Sequence, residues 1–204
     1  MTRTLFAWID LETTGLDPEN DHLLEVACLI TDDTCKQVIG TFYALLPLPD
    51  GWDHAHPELW PVDPAVLDMH TRSGLWADIR NRAHAPAEDD VVDDLMRWIA
   101  DFAGDGVTIH PAGSGISRFD IPWLFSRVDP DIGWPLHYRE LDISGMRMVF
   151  ERAGWTVRRD GGPAHRARRD VGDEIDEYLF MSGLITAMRD ESDTTGTWPK
   201  LATR

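Results

Sequence analysis

Near the start of the chain, apolar residues gather into three runs of strand length. The first is Leu5-Phe6-Ala7-Trp8-Ile9 within residues 4–10, the second is Leu23 to Thr31, and the third is Val38 to Leu46. Their β-branched, aromatic and leucine content suits a buried pleated surface. The link Asp32-Asp33-Thr34 has turn chemistry, so the three runs predict an antiparallel meander. Residues 47–64 hold Pro47, Pro49, Gly51, Pro57, Pro61 and Pro64, which predicts an ordered loop. The apolar period then changes from two to 3.6. Short helices are predicted at 64–70 and 73–81. Pro86 opens a longer helix, with Val92, Leu95, Met96, Ile99 and Phe102 at helical spacing and Gly104 at its end. Val107 to Ile109 reads as a strand, 118–127 as a helix with Pro122 in its first turn, 136–141 as a strand and 143–153 as a helix. A last helix runs from about Asp170 to Met188 and buries Val171, Ile175, Leu179 and Ile185. Residues 190–204 are polar and read as a mobile tail.

Three strands followed by alternating helix and strand predict an α/β protein with a mixed sheet flanked by helices, the first strand at its centre. The 204 residues are enough for one domain, over 1–189, with a sizeable core. A hydrophobic content of 43% and nine tryptophans exclude a disordered chain. No run reaches the length of a membrane span, so no membrane partner is expected. Cys28 and Cys35 are too few for a disulfide framework, and the cytoplasm is the expected compartment. A formal net charge of −17 argues against sequence-independent binding to long duplex DNA. A short oligonucleotide stays within reach of a local cationic pocket and metal ions. Arg158, Arg159, Arg166, Arg168 and Arg169 concentrate positive charge near residue 165.

The candidate chemistry begins at the end of the first strand, in Trp8-Ile9-Asp10-Leu11-Glu12-Thr13-Thr14-Gly15. Positions i and i+2 of a strand share a face, so Asp10 and Glu12 project together. Two such carboxylates repel unless a cation lies between them, and hard oxygen ligands suit Mg²⁺ or Mn²⁺. The plainer alternative is the polar end of a strand entering a turn. A calcium loop, with Asp10, Glu12, Thr14, Gly15 and Asp21 in register, fails because the flank is strand-like and Pro18 interrupts it. Asp120 follows the Gly/Ser-rich stretch 113–117 and opens an apolar helix. His165 precedes Asp170 by five residues, with Asp170 at the start of the last helix.

Asp-x-Glu, an aspartate about 110 residues on, and His-x4-Asp, in that order, resemble the DEDD family of 3′→5′ exonucleases in its histidine-containing branch. Leu23-Leu24-Glu25-Val26-Ala27, Met69-His70-Thr71-Arg72-Ser73-Gly74-Leu75 and Leu136-His137-Tyr138-Arg139-Glu140-Leu141-Asp142-Ile143-Ser144 resemble segments of the oligoribonucleases. The resemblance spans about residues 5–188 and implies a ribonuclease H-like fold. It implies two Mg²⁺ or Mn²⁺ ions held by Asp10, Glu12, Asp120 and Asp170, with nucleoside monophosphates released from the 3′ ends of short RNA or DNA. His165 would take the proton of the attacking water, since histidine ordinarily titrates near neutral pH. By the same likeness Tyr138 and Arg139 enclose the 5′ phosphate, the tyrosine reaching across a homodimer. Leu16 wedges against a base and His70 lies near the substrate. Ser114 or Ser117 contacts the phosphate. The family's stacking tryptophan falls on Ala65, with Trp60 nearby as a substitute. Two other readings stand beside this one: a proofreading-type exonuclease on single-stranded DNA, and a catalytically silent nucleic-acid-binding module.

Overall fold

A computed structural model describes residues 3–49, 51–53, 55–81, 88–157 and 162–191. Its strands are β1 (Arg3–Thr13), β2 (Leu23–Thr31), β3 (Val38–Leu45), β4 (Val107–Gly113) and β5 (Leu141–Asp142). Its helices are α1 (Pro64–Ser73), α2 (Leu75–Arg80), α3 (Glu88–Ala100), α4 (Asp120–Phe125), α5 (Ile143–Arg152) and α6 (Ala167–Glu191), with a 3-10 turn at Pro57–Leu59. The sheet order is β3-β2-β1-β4-β5, so the most apolar strand is central, as expected. β1 to β3 form the antiparallel meander. β4 joins β1 from the other side in parallel, and β5 joins β4 in parallel.

The two-residue period of β1 sorts its side chains between two cores. Leu5, Ala7, Ile9 and Leu11 face α3 and α4 through Val92, Leu95, Met96, Ile99, Trp123 and Leu124. Trp8 faces α5 and α6 through Ile143, Phe150, Val171, Ile175 and Met181. Burying each such side chain is worth roughly 1.5–3 kcal/mol, so the two layers clamp the sheet between them. Asp10 and Glu12 continue the Trp8 face, which sets them under α6. A smaller cluster of Leu24, Leu45, Trp60, Leu75, Trp76 and Ile79 holds the proline-rich segment and α1–α2 against β2.

Several boundaries differ from expectation. The strand expected at 136–141 shrinks to Leu141–Asp142. Its earlier half makes one backbone link to β4, His137 N–H to the Ile109 carbonyl at 2.8 Å, and the Arg139 carbonyl meets the His110 side chain at 2.8 Å. The Arg139 N–H goes to His137 Nδ1 instead, and Pro111 of β4 has no N–H to offer. β4 is longer than expected because pairing with β1 carries it through Pro111 to Ala112 and pairing with β5 adds Gly113. α1 and α2 are separated by Gly74, whose φ of 80° ends one helix and starts the next. α6 begins three residues earlier than expected, which puts Asp170 inside its first turn. Ile185 is 52% exposed, and Met181 is the buried residue of the last turns. The opening of α3 at Pro86, the arginines 158 and 159, and residues 192–204 of the expected tail lie outside the described residues. Among the described residues no helix is long and apolar enough to cross a membrane.

Candidate active site

The site forms at the carboxyl ends of the parallel strands β1 and β4, where open α/β sheets leave a crevice. Ligand-type oxygens of Asp10, Glu12 and Asp170 lie within 4.8 Å of one another. Asp120 comes from the first turn of α4. Pairing of β1 with β4 stops at Trp8 opposite Ala112, so β1 runs on past its partner. The Leu11 N–H beyond that point donates to Asp120 Oδ1 at 3.1 Å, which ties the acid to the same strand end. Asp170 accepts from the Ala164 N–H at 2.7 Å and the Arg166 N–H at 3.0 Å. It therefore folds the loop carrying His165 back over the start of its own helix. His165 itself holds a left-handed backbone with φ 54°, a conformation rare outside glycine and seen where a site demands it.

A cavity of about 550 Å³ is lined by Asp10, Glu12, Asp120, His165 and Asp170. Leu16 and Ser114 line it too; Leu16 is 82% exposed at the mouth. Gly15 lies over the Asp21 carboxylate, where any Cβ would clash. Asp21 is held in its turn by the Thr14 hydroxyl and the Asp17 N–H and is not part of the Asp10, Glu12, Asp170 group.

The crowding of acids sets the electrostatics. Burial, and then the charges of Asp120, Glu174, Glu12 and Asp170, hold Asp10 well above the usual carboxylate range. Burial and then Glu174 raise Asp120 in the same direction. Glu12 is pushed up to about 8 by burial, with Asp170 and Glu25 adding to it and Arg166 opposing. Glu12 therefore keeps its proton at neutral pH unless a cation enters, and the cluster then offers hard oxygen donors. The donor chemistry fits Mg²⁺ or Mn²⁺ at Asp10, Glu12, Asp120 and Asp170.

A second layer fixes the first. Glu25, paired across the sheet with Glu12, is 1% exposed. It accepts from Arg166 Nη2 at 2.9 Å, the Ala167 N–H at 2.7 Å and the Tyr43 hydroxyl at 2.6 Å. Arg166 also meets Asp78 at 2.7 Å. This network ties the His165 loop to β2, β3 and α2. The sequence pointed to Glu25 only by resemblance and missed Arg166 as its partner.

The other expected substrate residues stand apart from the cavity. His70 is fully buried behind Glu12: its Nε2 donates to the Thr13 carbonyl at 2.9 Å and its Nδ1 lies 3.7 Å from Glu12 Oε2. Burial pulls its pKa down, so it sits there as a neutral imidazole. Ser117 is half-buried outside the lining. Tyr138 is 79% exposed, beside His137 and Arg139, away from the lining. Trp60 is buried against Trp52 and Trp76, with its N–H on the Asp53 carbonyl. Glu174, Arg147 and Glu177 line the cavity and were not singled out from the sequence. Glu174 was within reach, since it lies one helical turn from Asp170.

Residues 7–51 match the model of the exonuclease family. The oligoribonuclease of Cutibacterium acnes is 31% identical over 94% of this chain and 91% of its own length. That of a Mycobacterium species is 35% identical over 87% and 80%. Among solved structures, the zinc-bound complex of E. coli exonuclease I with single-stranded DNA superimposes with a TM-score of 0.64 at 18% identity. It covers 94% of this chain, which spans 42% of that longer protein. The architecture is the ribonuclease H-like mixed sheet.

Proposed function

We propose that this chain, which belongs to the oligoribonuclease family and is a 3′→5′ exonuclease, releases nucleoside 5′-monophosphates from short oligonucleotides with the help of two divalent cations. The convergence of Asp10, Glu12, Asp120, Asp170 and His165 on one cavity carries this reading. The four acids would hold the ions, which supply charge stabilisation at the attacking and leaving oxygens of the phosphodiester.

The chain's own residues do the rest. His165, on the loop locked by Asp170, takes the proton of the attacking water as general base. Leu16, exposed at the mouth, wedges against a terminal base. Ser114 lines the cavity and is the serine in reach of a substrate phosphate. His70 orients Glu12 from behind and so acts on the substrate indirectly. Tyr138 and Arg139, solvent-exposed on one copy, serve the 5′ phosphate in the site of a second copy in a homodimer. One domain over residues 1–189 carries the activity. Buried, free Cys28 and Cys35 suit a reducing cytoplasm.

Exonuclease I in complex with single-stranded DNA shares the fold, which favours a second reading with DNA 3′ ends as substrate. A length series of 5′-phosphorylated RNA and DNA oligonucleotides in Mn²⁺ separates the two. The proposal expects the fastest turnover on the shortest RNA. Faster turnover of long DNA strands than of ribodinucleotides would overturn the substrate assignment.

A further inference from the structure

Glu174 leaves α6 on the same face as Asp170, one turn further along. The residue is 8% exposed and lines the cavity of the acids. Its Oε1 accepts the Ser114 N–H at 3.0 Å, which pins the carboxyl across the end of β4. Its Oε2 is enclosed and has no hydrogen-bond partner among the described residues. Gly113 adjoins it: a Cβ there would make ordinary contact with this oxygen at 3.5 Å but would press on the Ile9 carbonyl at 2.8 Å. Glu174 is close enough to Asp10 and Asp120 for its charge to bear on both.

The nearby cation does not satisfy it. The Arg147 guanidinium is engaged twice by Glu177, at 2.6 and 2.8 Å, and once by the Ser114 hydroxyl at 3.2 Å. An enclosed carboxyl oxygen with nothing to accept carries a desolvation penalty that a hydrogen-bond donor would relieve. Mg²⁺ and Mn²⁺ keep bound waters, which are donors of the kind this oxygen lacks.

We propose that Glu174 is a fifth acid of the metal centre, accepting hydrogen bonds from the hydration shell of the cation beside Asp10 and Asp120. The inference rests on the metal-dependent reading of this site. Glu174 keeps the ion in place and is not itself a catalytic residue. Its Ser114 link also couples ion binding to the end of β4, where a substrate phosphate would lie.

Calorimetric titration of Mn²⁺ into the full chain without nucleotide tests it, with melting curves to verify folding. Glu174→Gln keeps the shape and the Ser114 bond, and should weaken Mn²⁺ binding about 10-fold to 100-fold. Glu174→Asp, which keeps the charge but retracts it, should fall between that variant and the native chain. Should the glutamine variant not fold, the aspartate variant decides, and native affinity in it overturns the proposal. Asp176→Asn removes an equal charge from the exposed side of α6 and should leave the affinity unchanged. Native affinity in Glu174→Gln, or an equal loss in Asp176→Asn, also overturns the proposal while leaving the metal site intact. Absence of Mn²⁺ binding by the native chain would instead overturn the metal-dependent reading and this inference with it.

Discussion

Raising the pH of the metal-free protein from 6.5 to 9 should destabilise it by about 3 kcal/mol. Glu12 is held at about 8 and Glu174 at about 7, against an ordinary 4.5 for each. In the unfolded chain both are ionised well below pH 6.5, while the folded protein keeps their protons. Their contribution to stability is therefore present at low pH and is lost as the pH rises through the folded values. At about 1.4 kcal/mol per unit, Glu12 accounts for roughly 2 kcal/mol of loss over this interval and Glu174 for somewhat under 1. Asp10 and Asp120 are raised too and change stability in the same direction. His70, lowered by burial, works the opposite way, but most of its effect falls below pH 6.5, where the interval begins. For a chain of this size, about 2–4 °C of melting temperature corresponds to each kcal/mol, so the fall should be about 6–12 °C. Scanning calorimetry in EDTA across this range measures it. Mn²⁺ at about 100 times its Kd should add roughly 2.7 kcal/mol and flatten the slope. A melting temperature that is level or rises between pH 6.5 and 9 in EDTA would refute the electrostatic account of the site.

Other substitutions probe separate links. His165→Ala should lower kcat about 10²–10⁴-fold, with the fold intact by circular dichroism. Glu25→Gln should destabilise the protein by about 1–3 kcal/mol in urea titration, because Arg166, Tyr43 and the Ala167 N–H lose a shared anionic acceptor. Turnover in that variant should fall more than substrate affinity, since the His165 loop loses its anchor. Gly113→Ala should lose about 1–3 kcal/mol in the same titration, its methyl pressing on the rigid Ile9 carbonyl.

The parts legible in the sequence were those written in a local period. The two-residue alternation of β1 placed Asp10 and Glu12 on one face with Trp8, and β1 is central because its apolar run demands burial on both sides. Asp120 and Asp170 were readable as helix-start acids, although their meeting depends on α4 and α6 crossing the ends of β1 and β4. What escaped was set by tertiary partners. Residues 136–140 have strand composition but give their N–H groups to a side chain and a single β4 carbonyl. Trp60 looked available to a ligand, yet Trp52 and Trp76 enclose it. His70 sits in a helix resembling a substrate-binding segment and faces inward to Glu12. Arg147 and Glu177 pair across two helices thirty residues apart, which no local pattern signals.

The proposed reaction requires acids from distant parts of the chain to hold cations for hydrolysis at a 3′ end. Mononucleotide release from a 5′-phosphorylated oligoribonucleotide, followed with Mn²⁺ and with EDTA for the native chain, Asp10→Ala and Asp170→Asn, tests this directly. The account predicts 5′-monophosphates from the native chain in Mn²⁺ alone and none above background from either variant. Release that persists in EDTA, or in either folded variant with Mn²⁺, would contradict it.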